Sequence, residues 1–174
     1  MAKKLTTPIN EETRKSLTVG EEILISGYIY TARDAAHKLL VDAIKNKEKL
    51  PFDLKDQVVY YVGPTPAKPN QVIGACGPTS SYRMDKFSPE LMKKGLNVMI
   101  GKGPRSEEFI DAVKENKAVY LLAIGGLGAK LSKTVKENTT IAYEYLQSEA
   151  IRRLKVVEFP VIVAIDYLGN TIFQ

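Results

Sequence analysis

The sequence has 174 residues, of which 44% are hydrophobic and 26% are charged, and it carries a formal net charge of +5 at pH 7. Such a chain is long enough to bury a core, which excludes a disordered tail, and we interpret residues 1–174 as a single domain. Because the sequence has neither a run of about 18 apolar residues nor an apolar leader at its start, we expect a cytoplasmic protein that does not enter a membrane.

The positive charge raises the question of a nucleic-acid partner. The lysines lie mostly on helical patterns that also carry acidic residues, as in residues 43–50 (AIKNKEKL) and 132–139 (SKTVKENT). This arrangement is typical of a solvated helix face. Aromatic residues do not alternate with basic ones, as they would in a platform that stacks single-stranded bases. We therefore expect no nucleic-acid partner, and the excess charge could instead attract a small anion.

Predicted strands and helices alternate along the first half of the chain. β-branched and aromatic residues indicate strands, helical spacing indicates one helix that ends near Pro51, and Asn10 is placed to cap a polar segment. The predicted elements are an extended segment at 5–9, a strand at 23–32, a helix at 33–48, and strands at 57–63 and 71–76 that form a hairpin around the proline-rich loop 64–70.

The second half continues the alternation. The predicted elements are a helix around 88–95 that Gly95 ends, a strand at 97–101, a helix at 106–117, a strand at 119–124, a helix at 128–136, and a tail at 156–173 that closes as a hairpin around a turn at 167–170. The alternation predicts an α/β fold. Because hairpins intrude, we expect a mixed rather than purely parallel sheet.

Charged side chains follow two of the predicted strands. Arg33, Asp34 and His37 come after the strand at 23–32, and Arg33 and His37 are four residues apart, so they share a helix face. Lys102 lies between two glycines after the strand at 97–101, where small residues let a ligand approach the backbone.

The stretch 77–87 (GPTSSYRMDKF) gathers hydroxyl groups, an arginine and an aspartate after the predicted strand 71–76. In one interpretation Thr79 or Ser80 caps the next helix. In the other, the hydroxyls and backbone form an anion pocket with Arg83 as the clamp. Since ligands of open α/β sheets usually bind where strands end, Arg33, Arg83 and Lys102 together predict a site for a carboxylate or phosphate.

Structural interpretations of the same residues stay open at this point. Arg33 and Asp34 could form a surface ion pair of little energetic weight, and His37 could be a half-buried helix residue with a hydrogen-bonded ring. Lys102 could be the exposed tip of a tight turn. The GGLG stretch at 125–128 resembles a phosphate loop only superficially, because the spacings of the known loops are absent, and we interpret it as a strand-to-helix turn.

Six motifs occur in an order that closely resembles the β subunit, or fused C-terminal domain, of class I iron–sulfur fumarate hydratases and L-tartrate dehydratases. They are LTTPI, TARDAAH, GPTSSYRMD, IGKG, AIGG and EFPVIVAIDYLGN. The resemblance covers nearly the whole chain. Ser80 keeps the hydroxyl of a threonine that many relatives have, whereas Tyr82 stands where fumarases often have glycine, which leaves the substrate open.

The resemblance implies a swivelling β/β/α domain with a partner α subunit in an α2β2 or higher hetero-oligomer. The partner would carry the three cysteines of a 4Fe-4S cluster, and the single cysteine of this chain, Cys76, agrees with that division because it cannot hold a cluster alone. The expected activity is reversible hydration of fumarate to (S)-malate. Dehydration of tartrate to oxaloacetate and a non-catalytic anion-binding role are the alternatives.

The resemblance also implies roles for individual residues, none of them as a metal ligand. Arg33, Arg83 and Lys102 would hold the dicarboxylate, and Thr79 and Ser80 would face the reacting carbons. His37 would act as an acid or base or orient its neighbours. Asp34 and Asp85 would support the site.

Overall fold

The computed structural model describes residues 2–124 and 128–173. Within these residues, seven strands form one sheet. The strands are β1 (Lys3–Thr6), β2 (Glu22–Thr31), β3 (Val58–Tyr60), β4 (Val98–Gly101), β5 (Val119–Ala123), β6 (Val135–Ala142) and β7 (Ile151–Ile165). The α-helices are α1 (Glu11–Lys15), α2 (Asp34–Lys45), α3 (Ser88–Lys93), α4 (Glu107–Asn116) and α5 (Gly128–Ser132), and two 3₁₀ helices span Ser81–Met84 and Glu144–Glu149.

The sheet closes on itself. Its strand order is β1-β2-β3-β4-β5-β7-β6, and β7 also pairs with β2, so that β2, β3, β4, β5 and β7 form a barrel. The strands from β1 to β5 are parallel to their neighbours, whereas β7 runs antiparallel to β2, β5 and β6. The predicted α/β class with a mixed sheet is confirmed. Because β2 to β5 are parallel, their carboxyl ends meet at one edge of the sheet.

Apolar side chains cover both faces of the barrel strands. Along β3 and the residue after it, Val58 and Tyr60 pack in the barrel interior, whereas Val59 and Tyr61 pack against the helices on the outside. This two-sided burial explains why β3, β4 and β5 have nearly continuous apolar sequences instead of an alternating pattern. None of the described helices is long and apolar enough to cross a membrane.

The predicted strand at 71–76 and its hairpin with 57–63 are wrong. Residues 61–79 have no regular secondary structure, and their loop closes on itself: Thr65 N donates to the Ala75 carbonyl at 3.0 Å, and Ala75 N donates to Thr65 Oγ1 at 2.8 Å. Gly74 allows this closure, since a Cβ there would lie 2.1 Å from the Thr65 carbonyl oxygen. The apolar residues Ile73 and Cys76 are buried as anchors of the loop.

The predicted helix at 128–136 is also too long. Helix α5 ends at Ser132, and the chain turns into β6, a strand that the sequence analysis did not anticipate. Lysines and acidic residues suggested a solvated helix face, but the β-branched run at 139–141 favours a strand and pairs with β7. The turn near 167–170 is confirmed by the hydrogen bond from Asp166 N to the Asn170 carbonyl, but the closing hairpin is reduced to a single bridge.

Two predicted helix boundary signals are confirmed, one at a helix start and one at a helix end. The side chain of Asn10 accepts a hydrogen bond from Thr13 N at 2.9 Å and caps α1. Gly95, with a φ of 102°, lies just after the end of α3. Most of the predicted GGLG turn, residues 125–127, lies outside the described residues, so its interpretation stays a prediction.

Candidate active site

Three neighbouring strands end side by side at the carboxyl edge of the barrel. Ala32 N donates to the Tyr60 carbonyl at 3.1 Å, and Tyr61 N donates to the Ile100 carbonyl at 2.9 Å. These bonds continue the parallel pairing of β2 with β3 and of β3 with β4 just beyond the strands. Arg33 and Lys102 therefore leave the sheet from two strands that flank the end of β3.

The segment 79–81 occupies the place beyond the end of β3. Thr79 N donates to the Tyr61 carbonyl at 2.8 Å, Ser80 forms a parallel bridge with Lys102, and Ser81 N donates to the Lys102 carbonyl at 3.0 Å. The segment does not follow a strand at 71–76, as the sequence analysis expected. The loop from 62 to 78 leaves the barrel and returns, and this return brings Thr79, Ser80 and Arg83 to the predicted edge.

Four polar side chains at this edge have no partner in the described part of the chain. Among residues 2–124 and 128–173, no side chain or backbone group hydrogen-bonds the hydroxyls of Thr79 and Ser80 or pairs with the cations of Arg83 and Lys102. Ser80 stands at the N-cap position of the 3₁₀ helix Ser81–Met84, yet its side chain makes no capping bond. The capping interpretation therefore fails for Ser80, and these groups are available to a ligand.

Arg33 lies against the backbone of the neighbouring chain segments. A Cβ at Gly63 would lie 2.9 Å from Arg33 Cδ and 3.1 Å from the Ser148 carbonyl oxygen, so the missing side chain makes room for the arginine. Its Nε is 3.8 Å from Asp34 Oδ1, and both atoms are buried without a hydrogen-bond partner among residues 2–124 and 128–173. The Arg33–Asp34 pair exists, but its geometry leaves hydrogen-bonding capacity unused.

A residue that the sequence analysis missed holds the start of α2. The side chain of Arg33, the N-cap residue, does not cap the helix. Glu149, from the loop between β6 and β7, accepts the hydrogen bond from Ala35 N at 3.2 Å. No local sequence signal could have indicated this cap, because Glu149 is more than a hundred residues away along the chain.

His37 lies inside the protein rather than at the edge. Its side chain is buried, its Nδ1 is 2.9 Å from the Arg33 carbonyl oxygen, and its ring meets Tyr61 edge-on at 5.3 Å between centroids. Since a carbonyl only accepts, Nδ1 carries the proton of the neutral ring. Burial lowers the pKa of His37 to about 4. This geometry matches a hydrogen-bonded interior histidine that orients the Arg33 backbone.

Asp85 forms a buried ion pair with Arg105, the second residue that the sequence analysis missed. Arg105 Nε donates to Asp85 Oδ1, and the Arg105 side chain is fully buried. The guanidinium lies 3.5 Å from the centroid of the Phe109 ring, and Asp85 Oδ2 accepts from Ser106 N at 2.7 Å. The pair ties the end of the 3₁₀ helix that carries Arg83 to the start of α4. The position of Arg105 three residues after Lys102 was the only available sequence signal.

A cleft lies beside the strand-end edge. Its volume is about 830 Å³, and it is lined by Asp34, Tyr82, Arg83, Asp85, Lys86, Pro104, Arg105, Ser106 and Glu108. Thr79, Ser80 and Lys102 are not among the lining residues. We place the candidate site at the edge itself, because the backbone contacts of the segment 79–81 with Tyr61 and Lys102 bring these residues together there. Of Thr79, Ser80, Arg83 and Lys102, Arg83 also lines the cleft.

The described residues do not fit as ligands of a metal cluster. They contain no group of three or more His, Cys, Asp or Glu side chains that could hold a metal ion. Cys76 is buried, and burial raises the pKa of its thiol to about 12. Its Sγ lies 3.8 Å from the Gly128 carbonyl oxygen. The thiolate form that binds iron is therefore disfavoured in this fold.

Comparison with known proteins decides the family. Residues 2–174 match the family model described as Fumarase C-terminus. The chain belongs to the fumarase C-terminus family. The resemblance seen in the motifs is thereby confirmed at the level of the family.

Relatives of this fumarase C-terminus chain carry the names of two hydro-lyases. It is 39% identical over 166 residues to a protein provisionally named L(+)-tartrate dehydratase subunit beta from Methanocaldococcus jannaschii, covering 92% of this chain and 85% of that protein. It is 35% identical over 158 residues to the aerobic class I fumarate hydratase of Escherichia coli strain K12, covering 90% of this chain but 29% of that enzyme. Fumarate hydratase 2 of Leishmania major is 33% identical and is covered over 28% of its length.

The coverage separates the two kinds of relative. The fumarase C-terminus chain spans most of a separate β subunit, but it spans less than a third of the two fumarate hydratases. Domains of this family therefore occur both as subunits and as parts of longer chains.

Proposed function

We propose that this chain is the β subunit of a class I hydro-lyase that reversibly hydrates fumarate to (S)-malate. The observation that supports the proposal is the carboxyl edge of the barrel, where two hydroxyls and the cations of Arg83 and Lys102 have no partner among the described residues. A dicarboxylate needs separated cations at its two ends and polar groups between them. The edge offers these groups on a closed barrel, which fixes their relative positions.

The proposed roles follow from charge. When a proton leaves or joins the carbon next to a carboxylate, negative charge builds up on that carboxylate. Arg33, Arg83 and Lys102 hold the dicarboxylate, and their positive charges stabilise this negative charge. The guanidinium of Arg83 adds the two-pronged geometry that an ammonium lacks. Ser80 contacts the substrate, and Thr79 is the group that moves the proton at carbon.

The supporting residues act through these groups. Asp34 lies beside Arg33, Asp85 holds the 3₁₀ helix of Arg83 through Arg105, and His37 binds the Arg33 carbonyl. His37 is buried and neutral, which favours the orienting role over the proton-transfer role that the resemblance also allowed.

The proposal includes a partner α subunit that covers the carboxyl edge of the barrel and holds a 4Fe-4S cluster. In this proposal the partner holds the cluster, which would supply a Lewis acid for the substrate hydroxyl. We propose a cytoplasmic hetero-oligomer of the α2β2 type or larger. A relative that this chain covers over 85% of its length is named as a subunit, which supports a hetero-oligomer.

A second candidate is L-tartrate dehydration. A relative that matches this chain over most of both lengths is named as a tartrate dehydratase subunit. Tartrate and malate are both hydroxy dicarboxylates, so the same three cations would hold either.

The test is anaerobic co-expression with a chain that carries three suitably spaced cysteines, followed by assays of the purified assembly on fumarate, malate and L-tartrate. Turnover of fumarate and malate supports the main proposal, and turnover of tartrate alone supports the second. An assembly that contains the cluster but turns over none of them would contradict both and leave a non-catalytic anion-binding domain.

A further inference from the structure

A buried chain of hydroxyl groups lies beneath the strand-end edge. Ser81 and Tyr120 are both fully buried, and Tyr120 Oη lies 2.8 Å from Ser81 Oγ and 2.8 Å from the Gly103 carbonyl oxygen. Lys102 N donates to Ser81 Oγ at 2.9 Å. The contacts connect β5, the 3₁₀ helix that carries Arg83 and the loop that carries Lys102.

Counting protons fixes the direction of these bonds. A phenol has one proton, and the Gly103 carbonyl can only accept, so Tyr120 donates to Gly103. The Ser81 hydroxyl accepts from Lys102 N and donates its own proton to Tyr120 Oη. The chain therefore runs from Lys102 N–H through Ser81 and Tyr120 to the Gly103 carbonyl, and every donor has one acceptor. Burial raises the pKa of Tyr120, so the phenol keeps its proton at neutral pH.

Gly101 provides the space that the hydrogen-bonded hydroxyl groups of Ser81 and Tyr120 need. A Cβ at Gly101 would lie 1.9 Å from Ser81 Oγ and 2.7 Å from Tyr61 Cδ2. The hydroxyl of Ser81 thus fills the volume of the missing side chain. Gly101 therefore allows Ser81 to pack against β4. The amide and the carbonyl of Lys102 are both hydrogen-bonded to Ser81, so the Lys102 backbone has little freedom.

We propose that Ser81 and Tyr120 are positioning residues that fix Lys102 relative to Thr79, Ser80 and Arg83. The consequence for catalysis rests on the proposed function, because it requires Lys102 to hold a substrate carboxylate. Ser81 sets the Lys102 amide and Tyr120 sets the Gly103 carbonyl, so the two residues together hold both ends of the short lysine loop. Neither side chain reaches solvent, and neither touches substrate.

The kinetic test uses Tyr120→Phe, Ser81→Ala and the double variant in the assembled enzyme. A displaced Lys102 weakens the hold on the carboxylate, so we expect KM for the dicarboxylate to rise by about 3- to 10-fold while kcat changes by less than about twofold. Because Ser81 and Tyr120 act through the same series of hydrogen bonds, the double variant should have nearly the same KM as Ser81→Ala alone. A purely structural role would lower the active fraction, and with it the apparent kcat, without changing KM.

Tyr60→Phe is the matched control. Tyr60 is also fully buried and donates to a backbone carbonyl, that of Cys76, but its ring faces the barrel interior, on the opposite side of the sheet from Tyr120. The control removes the same atom from a tyrosine of equal burial, and we expect KM to stay at the wild-type value. A Tyr120→Phe variant whose KM equals that of Tyr60→Phe would overturn the proposal.

A second measurement does not depend on activity. Hydrogen–deuterium exchange of the peptide that covers residues 98–104 reports the Lys102 amide in the assembled protein. We expect faster exchange in Ser81→Ala than in the wild type and no change in Tyr60→Phe. Unchanged exchange in Ser81→Ala, or faster exchange without a rise in KM, would overturn the positioning role. If the wild-type assembly turns over no dicarboxylate, the proposed function fails, whereas the exchange result still decides whether the hydroxyl chain holds Lys102.

Discussion

The backbone amide of Thr79 donates to the carbonyl oxygen of Tyr61 at 2.8 Å, so that Thr79 takes the position that would otherwise continue β3. This bond fixes Thr79 at the carboxyl edge of the barrel. Its hydroxyl has no hydrogen-bond partner among the described residues. The backbone of Thr79 is thus held by a hydrogen bond, whereas its hydroxyl is not used within the described residues, as expected of a group that acts on a ligand.

The first prediction concerns this hydroxyl. General acid–base groups contribute roughly a hundredfold to ten-thousandfold to rate, so Thr79→Val should lower turnover of the assembled enzyme by about that range. Valine keeps the shape of threonine, and we expect assembly and cluster content to stay unchanged. Thr79→Ser should keep a substantial part of the activity. Turnover and deuterium exchange into the methylene of malate are the measurements.

Thr139→Val is the control for this substitution, because Thr139 is an exposed threonine on β6. It should turn over at the wild-type rate. If Thr79→Val also turns over and exchanges deuterium at the wild-type rate, Thr79 does not transfer the proton, and His37 becomes the next residue to test.

The second prediction concerns the shape of the Arg83 guanidinium. Arg83→Lys keeps the charge but loses the two parallel donors, so kcat/KM for the dicarboxylate should fall sharply, by about tenfold or more. Lys49→Arg, an exchange between the same residue types at an exposed position, should change kcat/KM by less than about twofold. Steady-state kinetics of both variants provide the comparison, and equal behaviour would make Arg83 a structural residue.

The third prediction concerns pH and stability. His37 has a pKa of about 4 in the folded chain, against an ordinary value of 6.5, mainly because it is buried. Between these values only the unfolded chain binds the proton. The free energy of unfolding should therefore fall as the pH drops from about 6.5 to about 4, and His37 should account for roughly 3 kcal/mol of this fall. Above about pH 6.5 the stabilising contribution of the neutral His37 is fully present.

Urea unfolding at several pH values between about 7 and 4.5 measures this slope. His37→Gln keeps a donor for the Arg33 carbonyl but has no titratable ring, so it should lose most of the extra slope in this range. A variant with the same pH dependence as the wild type would show that other groups produce it. Asp34 and Arg105 are the charged residues that act on His37, in opposite directions.

The fourth prediction concerns the buried pair of Asp85 and Arg105. Removing one partner leaves the other charge buried and unpaired, so Asp85→Asn or Arg105→Met should each destabilise the chain by about 3–5 kcal/mol. The double variant should lose clearly less than the sum, because no unpaired charge is left. Urea unfolding of the four proteins gives the coupling. Additive losses would mean that the two side chains act independently.

The fifth prediction concerns the chain purified without a partner. It should fold but contain neither iron nor sulfide, because Cys76 cannot supply the ligands that a cluster needs. The Cys76 thiol should also resist iodoacetamide in the native protein and react in urea, since burial raises its pKa to about 12. Stoichiometric iron and sulfide in the isolated chain, or turnover without a partner, would contradict this prediction.

Local sequence patterns predicted much of the sheet, because the formation of these strands and turns depends largely on residues that are close together in the sequence. The strands β2, β4 and β5 and the helices α2 and α4 lie where the sequence predicted them. The same reasoning failed at residues 71–76 and in β6. An apolar run can anchor a loop as well as form a strand, and charged residues occur on exposed strands as well as on helices.

The order of residues along the chain already places Arg33 after β2, Lys102 after β4, and the hydroxyls and Arg83 in one short stretch. Their positions relative to one another in space depend on the tertiary structure. Thr79 reaches the edge because the loop 62–78 returns to β3, and Ser81 reaches the Lys102 amide because Gly101 leaves space for it. The inward position of His37 and the burial of Arg105 depend on packing between distant segments. Such contacts form when the barrel closes, and residue spacing along the chain carries no record of them.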